Sequence, residues 1–201
     1  KRMLAYSSVA QIGYIVLGVG LANADGLTGG LLHIINHAFM KGCLFLVAGA
    51  IVYRTGIREI RGLRNLSVKM PWTAGAFTVS AFSMIGIPPT CGFFSKLYLI
   101  LGAIDSEQWF FVAVILFSTA LALVYFANVI RYMYFPREEH QPESDNFGGI
   151  SDLSGLTRHE APLTMLVPTV LLAVGVILLG FFNGEVVSQF LVPIIPESFL
   201  R

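Results

Sequence analysis

LLHIINHAFMKGCLFLVAGAIVY, Leu31–Tyr53, decides the fold. It is a 23-residue apolar run with no Asp or Glu, and a helix needs about 20 such residues to cross roughly 30 Å of hydrocarbon. Within it His33, His37 and Lys41 fall at i, i+4 and i+8. Successive groups are offset by only about 40° around a helix, so they line one face over about 12 Å of rise. Lys41 sits one residue from the middle of the run, too far from either surface to snorkel. An ionised Lys at that depth is costly and must face protein interior, water or a counter-charge. A group held there can take up and release a proton, and histidine titrates near neutral pH without help. The line His33–His37–Lys41 therefore reads as a proton wire.

Four further stretches are long enough to span: Met3–Ala22, Trp72–Ile104, Trp109–Phe135 and Pro162–Phe182. None contains an acid. The expected fold is all-α, a polytopic transmembrane helix bundle in a single membrane domain, with the tail Asn183–Arg201 lying at the interface. Five crossings place the N-terminus and the loops 54–71 and 136–161 on one side, with ten basic residues: Lys1, Arg2, Arg54, Arg58, Arg61, Arg64, Lys69, Arg131, Arg137 and Arg158. The other side receives only Arg201. Cytoplasmic loops carry the excess of Lys and Arg, so the two loops are expected in the cytoplasm and the protein in the cell inner membrane. Loop 136–161 is rich in Glu, Asp, Gly, Ser and Pro and reads as solvated.

The stretch Trp72–Ile104 would make a helix of about 50 Å, too long for one straight crossing. Its middle reads Gly86-Ile-Pro88-Pro89-Thr-Cys-Gly92. Two consecutive prolines remove two donors and clash with the preceding turn, so the helix breaks. Pro88, Pro89 and Gly92 mark that break, between Trp72–Ile87 and a second half from about Phe93. Irregular backbone at membrane depth is tolerated only inside protein or beside a water-filled cavity, and broken helices mark ion pathways in transporters. Lys96 opens the second half near mid-depth, and no acid in the spans pairs with it. Ser8 and Gln11 are candidates for ordering water. The remaining polar span residues, Ser7, Asn36, Ser95 and Thr119 among them, read as helix–helix hydrogen bonds.

Only 12% of the residues are charged and 55% are hydrophobic, against about 25% charged in a soluble domain. A net charge of +1 argues against a nucleic-acid partner. Cys43 and Cys91 both lie in apolar runs and read as buried thiols. No Cys/His cluster suggests a metal and no Gly-rich loop a phosphate, so no cofactor is expected.

Lys1-Arg-Met-Leu-Ala-Tyr-Ser-Ser-Val-Ala-Gln-Ile-Gly-Tyr14 resembles the KRxLAYSSxxxxGY segment of the antiporter-like subunits of respiratory complex I, multisubunit (Mrp-type) cation/proton antiporters and membrane-bound hydrogenases. His33-x-x-x-His37-Ala-Phe-Met-Lys41 resembles their HxxxHAxxK signature. Gly86-Ile-Pro88-Pro89 with Gly92-Phe-Phe-Ser-Lys96 resembles their GxPPxxGFxSK signature on a broken helix. The resemblance covers residues 1 to about 135, and within it the run is most similar to the D-type antiporter subunit. It implies that Lys41 is the central lysine of a charged chain and Lys96 its terminal proton-exchanging residue. It further implies other membrane subunits as partners, with protons, sodium or another monovalent cation, and lipid as what the complex meets. A proton-pumping subunit of a quinone oxidoreductase or hydrogenase is the alternative, and a purely structural membrane subunit another. The inverted first repeat that the family carries is not among these residues, so the sequence reads as the C-terminal part of a longer protein.

Overall fold

The computed structural model describes residues 2–135 and 160–196. Loop residues 136–159, with Arg137 and Arg158, lie outside the described residues, as do Lys1 and Arg201. The described residues form eight α-helices in order: α1 Arg2–Gly20, α2 Ala24–Thr55, α3 Leu66–Lys69, α4 Pro71–Ile85, α5 Cys91–Asp105, α6 Trp109–Tyr134, α7 Leu163–Phe181 and α8 Asn183–Val186. Among the described residues there is no strand. Helices α1, α2, α6 and α7 are long and apolar enough to cross a membrane.

α2 is central, packed on α1, α4, α5 and α7. It begins at Ala24 rather than Leu31, ahead of the apolar run. Asn23 is its N-cap: Oδ1 accepts from Gly26 N at 2.8 Å, satisfying a donor that the first turn leaves free. The Asn23 amide also donates to Gly102 O at 2.7 Å and Ser106 Oγ at 2.8 Å, tying the α1–α2 corner to the end of α5. Glycines let these helices approach closely: a Cβ on Gly18 would meet Gly26 and Gly30, and one on Gly102 would meet Gly26.

The opposite end is closed by two other ties. Ser67 Oγ donates to Met133 O at 2.9 Å. The Glu160 carboxylate accepts from Trp72 N at 2.7 Å and Thr73 Oγ1 at 2.8 Å, an anion at the N-terminus of α4 where the helix dipole favours one. Arg2, Arg54, Lys69 and Arg131 therefore belong to one end of the bundle, and residues 21–23 and 106–108 to the other.

The run Trp72–Ile104 is discontinuous. α4 stops at Ile85, and Gly86 takes the left-handed conformation (φ 94°) that caps it, its N–H donating to Phe82 O at 2.9 Å. α5 resumes at Cys91, so each half has 15 residues and about 22 Å of length. Pro88 and Pro89 lie in the link, but Gly92 does not. It is inside α5, where a Cβ would collide with the Ser83 carbonyl, and its N–H donates to Ser83 Oγ at 3.0 Å. Gly92 is needed for the close packing of the two halves, not for the break. After α7, which carries Pro168 internally, residues 183–194 form short helical turns that bury Val187 and Leu191.

Candidate functional site: two buried lysines joined by a histidine pair

Lys41 and Lys96 are 6% and 4% exposed, a placement for ammonium groups that demands hydrogen-bond partners. α1 supplies those of Lys41: Nζ donates to Leu4 O at 2.8 Å and to Ser7 Oγ. The break supplies those of Lys96. Its Nζ reaches back one helix to donate to Met84 O at 2.9 Å and Ile85 O at 3.0 Å, with Thr119 Oγ1 of α6 at 3.4 Å. Met84 and Ile85 are the last residues of α4, whose carbonyls have no intrahelical donor and carry the negative end of the helix dipole. The helix terminus created by Pro88-Pro89 thus takes the place of the missing carboxylate. Neither lysine forms an ion pair among the described residues.

His33 and His37 fill the space between. Their rings are near parallel, 12° apart in plane with centroids 6.2 Å apart, one helical turn along α2. His37 lies beside Lys41, close enough for their charges to interact, and His33 stands in the same relation to Lys96. His33 is fully buried and held at both nitrogens: Nε2 by Gln11 Oε1 at 2.9 Å and Nδ1 by Ser95 Oγ at 2.8 Å. His37 Nε2 is buried with no protein partner among the described residues, and neither has Asn36 Oδ1, although Asn36 Nδ2 donates to Cys91 O at 2.8 Å at the start of α5. Open acceptors and donors of this kind in a polar interior are places for ordered water. What the arrangement can do chemically is pass protons: every group from Lys41 to Lys96 can exchange one, and Lys41, His33 and Lys96 are buried within the bundle, with His37 half-buried between them.

The geometry brings Lys41, His37, His33, Gln11 and Lys96 into one line through α1, α2 and α5. Ser8 is not part of it: its hydroxyl donates to Leu4 O of its own helix at 3.1 Å. Four further contributors, Ser7, Ser95, Thr119 and Tyr14, are residues whose sequence pattern points to packing alone or to nothing. Tyr14 stands edge-on to His33, with centroids 5.5 Å apart, and Lys96 Nζ lies 5.3 Å from its ring centre. One signal in the sequence could have found two of them. Ser7, Gln11, Tyr14 and Gly18 recur at helical spacing and form the buried face of α1.

With this geometry in view, the likenesses to known proteins are specific. The chain is 46% identical over 188 residues to NADH-quinone oxidoreductase subunit N of Desulforudis audaxviator, covering 94% of this chain and 37% of that protein. It is 37% identical over 147 residues to the D-type subunit of the Na(+)/H(+) antiporter of Alkalihalophilus pseudofirmus, covering 73% of this chain and 30% of that one. The chain thus spans about a third of the length of these relatives. Its fold superposes on a chain of the Mrp complex from Dietzia sp. DQ12-45-1b with a TM-score of 0.76 at 30% identity, over 91% of this chain and 40% of that one. The family described as "NADH:quinone oxidoreductase/Mrp antiporter, TM" matches residues 1–122, a segment holding both lysines, both histidines and the broken helix, and the chain belongs to that family.

Proposed function

We propose that this chain carries protons through a relay of Lys41, His37, His33 and Lys96, as one membrane subunit of a multisubunit complex. The observation that carries the reading is the pair of buried lysines, bonded only to carbonyls and hydroxyls, with two stacked histidines between them. A lysine kept only for packing has no need of a titratable line leading away from it. Gln11 orients His33, and the unpartnered His37 Nε2 takes the water that passes the proton on. The complex sits in the cell inner membrane, with residues 54–71 and 136–161 on the cytoplasmic side.

The test is Lys41→Ala and Lys41→Arg in the assembled complex, with proton movement measured in vesicles holding equal amounts of it. Both are expected to abolish proton movement, Arg because it keeps its proton in proteins, while assembly persists. Transport at the parental rate in Lys41→Ala overturns the relay, and loss of assembly with transport per complex unchanged supports the purely structural alternative.

Two energy sources remain. Likeness to the Na(+)/H(+) antiporter protein and to the Mrp complex supports proton exchange against sodium or another monovalent cation. The greater identity to the quinone oxidoreductase protein, over more of this chain, supports a pump driven by quinone reduction elsewhere in the complex. Proton movement driven by an imposed sodium gradient, without an electron donor, identifies the first; movement requiring electron donor and quinone identifies the second.

A further inference from the structure

Tyr14 is the polar group of the site with the least explanation. Its side chain is 4% exposed, and its hydroxyl has no hydrogen-bond partner among the described residues. A buried hydroxyl left unpaired is costly, and such groups in native proteins call for a bound water or a task. Its position is not incidental, because its ring touches both His33 and Lys96. α6 adds a second tyrosine that none of the sequence motifs contains. Tyr125 lies within hydrogen-bonding reach of Ser7 and near enough to Tyr14 for the two groups to interact electrostatically, and Ser7 accepts the hydrogen bond of Lys41. α6 also brings Thr119 to Lys96.

We propose that Ser7, Tyr125 and Tyr14 form a second proton path from Lys41 to Lys96, lined by hydroxyls and running between α1 and α6 in parallel with the histidine pair. It rests on the reading that the two lysines carry protons. A hydroxyl both donates and accepts, so it can take a proton on a lone pair while giving up its own. The Lys41 ammonium gives a proton to Ser7 Oγ. The Ser7 hydroxyl hydrogen, which in the resting site points to Leu4 O at 3.0 Å, turns to Tyr125. Tyr125 gives its proton to Tyr14, and Tyr14 gives its own to the neutral Lys96 amine, with water bridging where two oxygens are not in contact. One N–H bond breaks at Lys41 and one forms at Lys96. Each hydroxyl loses one O–H bond and gains one, so no hydroxyl rests charged and the charge of the lysine pair is conserved. This path works while both histidines are neutral.

Tyr14→Phe and Tyr125→Phe test it, because each removes one oxygen and leaves the ring in place, with the edge contact to His33 and the face to Lys96 kept in Tyr14→Phe and the contact with Phe126 kept in Tyr125→Phe. Proton movement is measured in the assembled complex in vesicles, alone and combined with His33→Ala. Each Phe variant is expected to slow transport roughly threefold, as losing one of two parallel routes removes part of the flux. The double Phe variant is expected to be no slower than either single one, since both lie on one line. Tyr14→Phe with His33→Ala is expected to fall to the background of Lys41→Ala. Parental transport in Tyr14→Phe overturns the proposal, as does a Tyr14→Phe/His33→Ala rate equal to that of His33→Ala. Parental transport in Tyr125→Phe removes α6 from the path and overturns it too, and that variant decides alone if Tyr14→Phe does not assemble. Parental transport in Lys41→Ala instead overturns the lysine reading on which both paths depend.

Discussion

His33 can gain or lose a proton without changing partners. When neutral, Nε2 donates to Gln11 Oε1 and Nδ1 accepts from Ser95 Oγ. When charged, Nδ1 donates to Ser95 Oγ, and the serine hydroxyl turns to Gly92 O, 3.3 Å away. The serine is thus a rotor that satisfies both states, and its loss leaves Nδ1 unpaired in one of them. An unpaired buried polar group costs about 1–3 kcal/mol. Ser95→Ala is therefore expected to slow the histidine route by about tenfold, at 1.36 kcal/mol per tenfold, with the complex still assembled, and this is read in the Tyr14→Phe background, where that route works alone; a rate equal to that of Tyr14→Phe removes Ser95 from the site. At this scale the sequence is unevenly legible. His33, His37 and Lys41 can be read because their spacing is local to one helix. Their partners cannot, because Gln11–His33 and Ser95–His33 are contacts between helices, and spacing says nothing about which faces meet. An acid to match Lys96 is also the wrong group to expect, since the carbonyl end of a broken helix has no signature in residue types.

The broken helix is the element on which the site depends, since it supplies Ser95, Lys96 and the carbonyls that hold Lys96. Pro88-Pro89 makes the interruption legible, but not how tightly its halves pack. α4 and α5 come together at Ser83 and Gly92, where a Cβ has no room, and the same holds where Gly180 of α7 meets the link at Pro89 and Thr90. Overpacking a well-filled interior costs about 1–3 kcal/mol. Gly92→Ala is expected to lower the thermal midpoint of the purified complex and to reduce proton movement, by displacing Lys96 from α4. Gly75→Ala, on the partner half-helix α4 but with nothing within 4 Å of its Cβ, is the matched control. It is expected to be neutral or slightly stabilising, because Ala suits a helix better than Gly by about 1 kcal/mol. Equal melting of the two variants would show that the Ser83–Gly92 contact does not hold the halves together. The early start of α2 also has a signal in the sequence. Asn23 with Asp25 in the first turn is a helix N-terminus by cap and dipole, but polar residues beside glycines read first as a loop.

For the whole molecule, the decisive quantity is which end of the bundle faces the cytoplasm. The helices run so that Arg2, residues 54–71 and the end of α6 at Tyr134 share one end, tied through Ser67–Met133 and Glu160–Trp72, while Asn23 gathers the other end around Gly102 and Ser106. The first end carries nearly all of the basic charge, and translocation across a membrane disfavours loops rich in Lys and Arg. That end is therefore expected inside the cell. Thiol labelling can check this directly, because Cys43 and Cys91 are both fully buried and give a silent background. Val68, 52% exposed in α3, and Gln108, exposed before α6, sit at opposite ends, and replacing either by Cys removes no charge. A membrane-impermeant thiol reagent added to intact cells is expected to label Gln108→Cys and spare Val68→Cys, with the pattern reversed in inverted vesicles. Labelling of Val68→Cys from outside would invert the orientation. Labelling of both from one side would mean that the two ends do not lie across a membrane from each other, which no arrangement of α1, α2 and α6 as crossings permits.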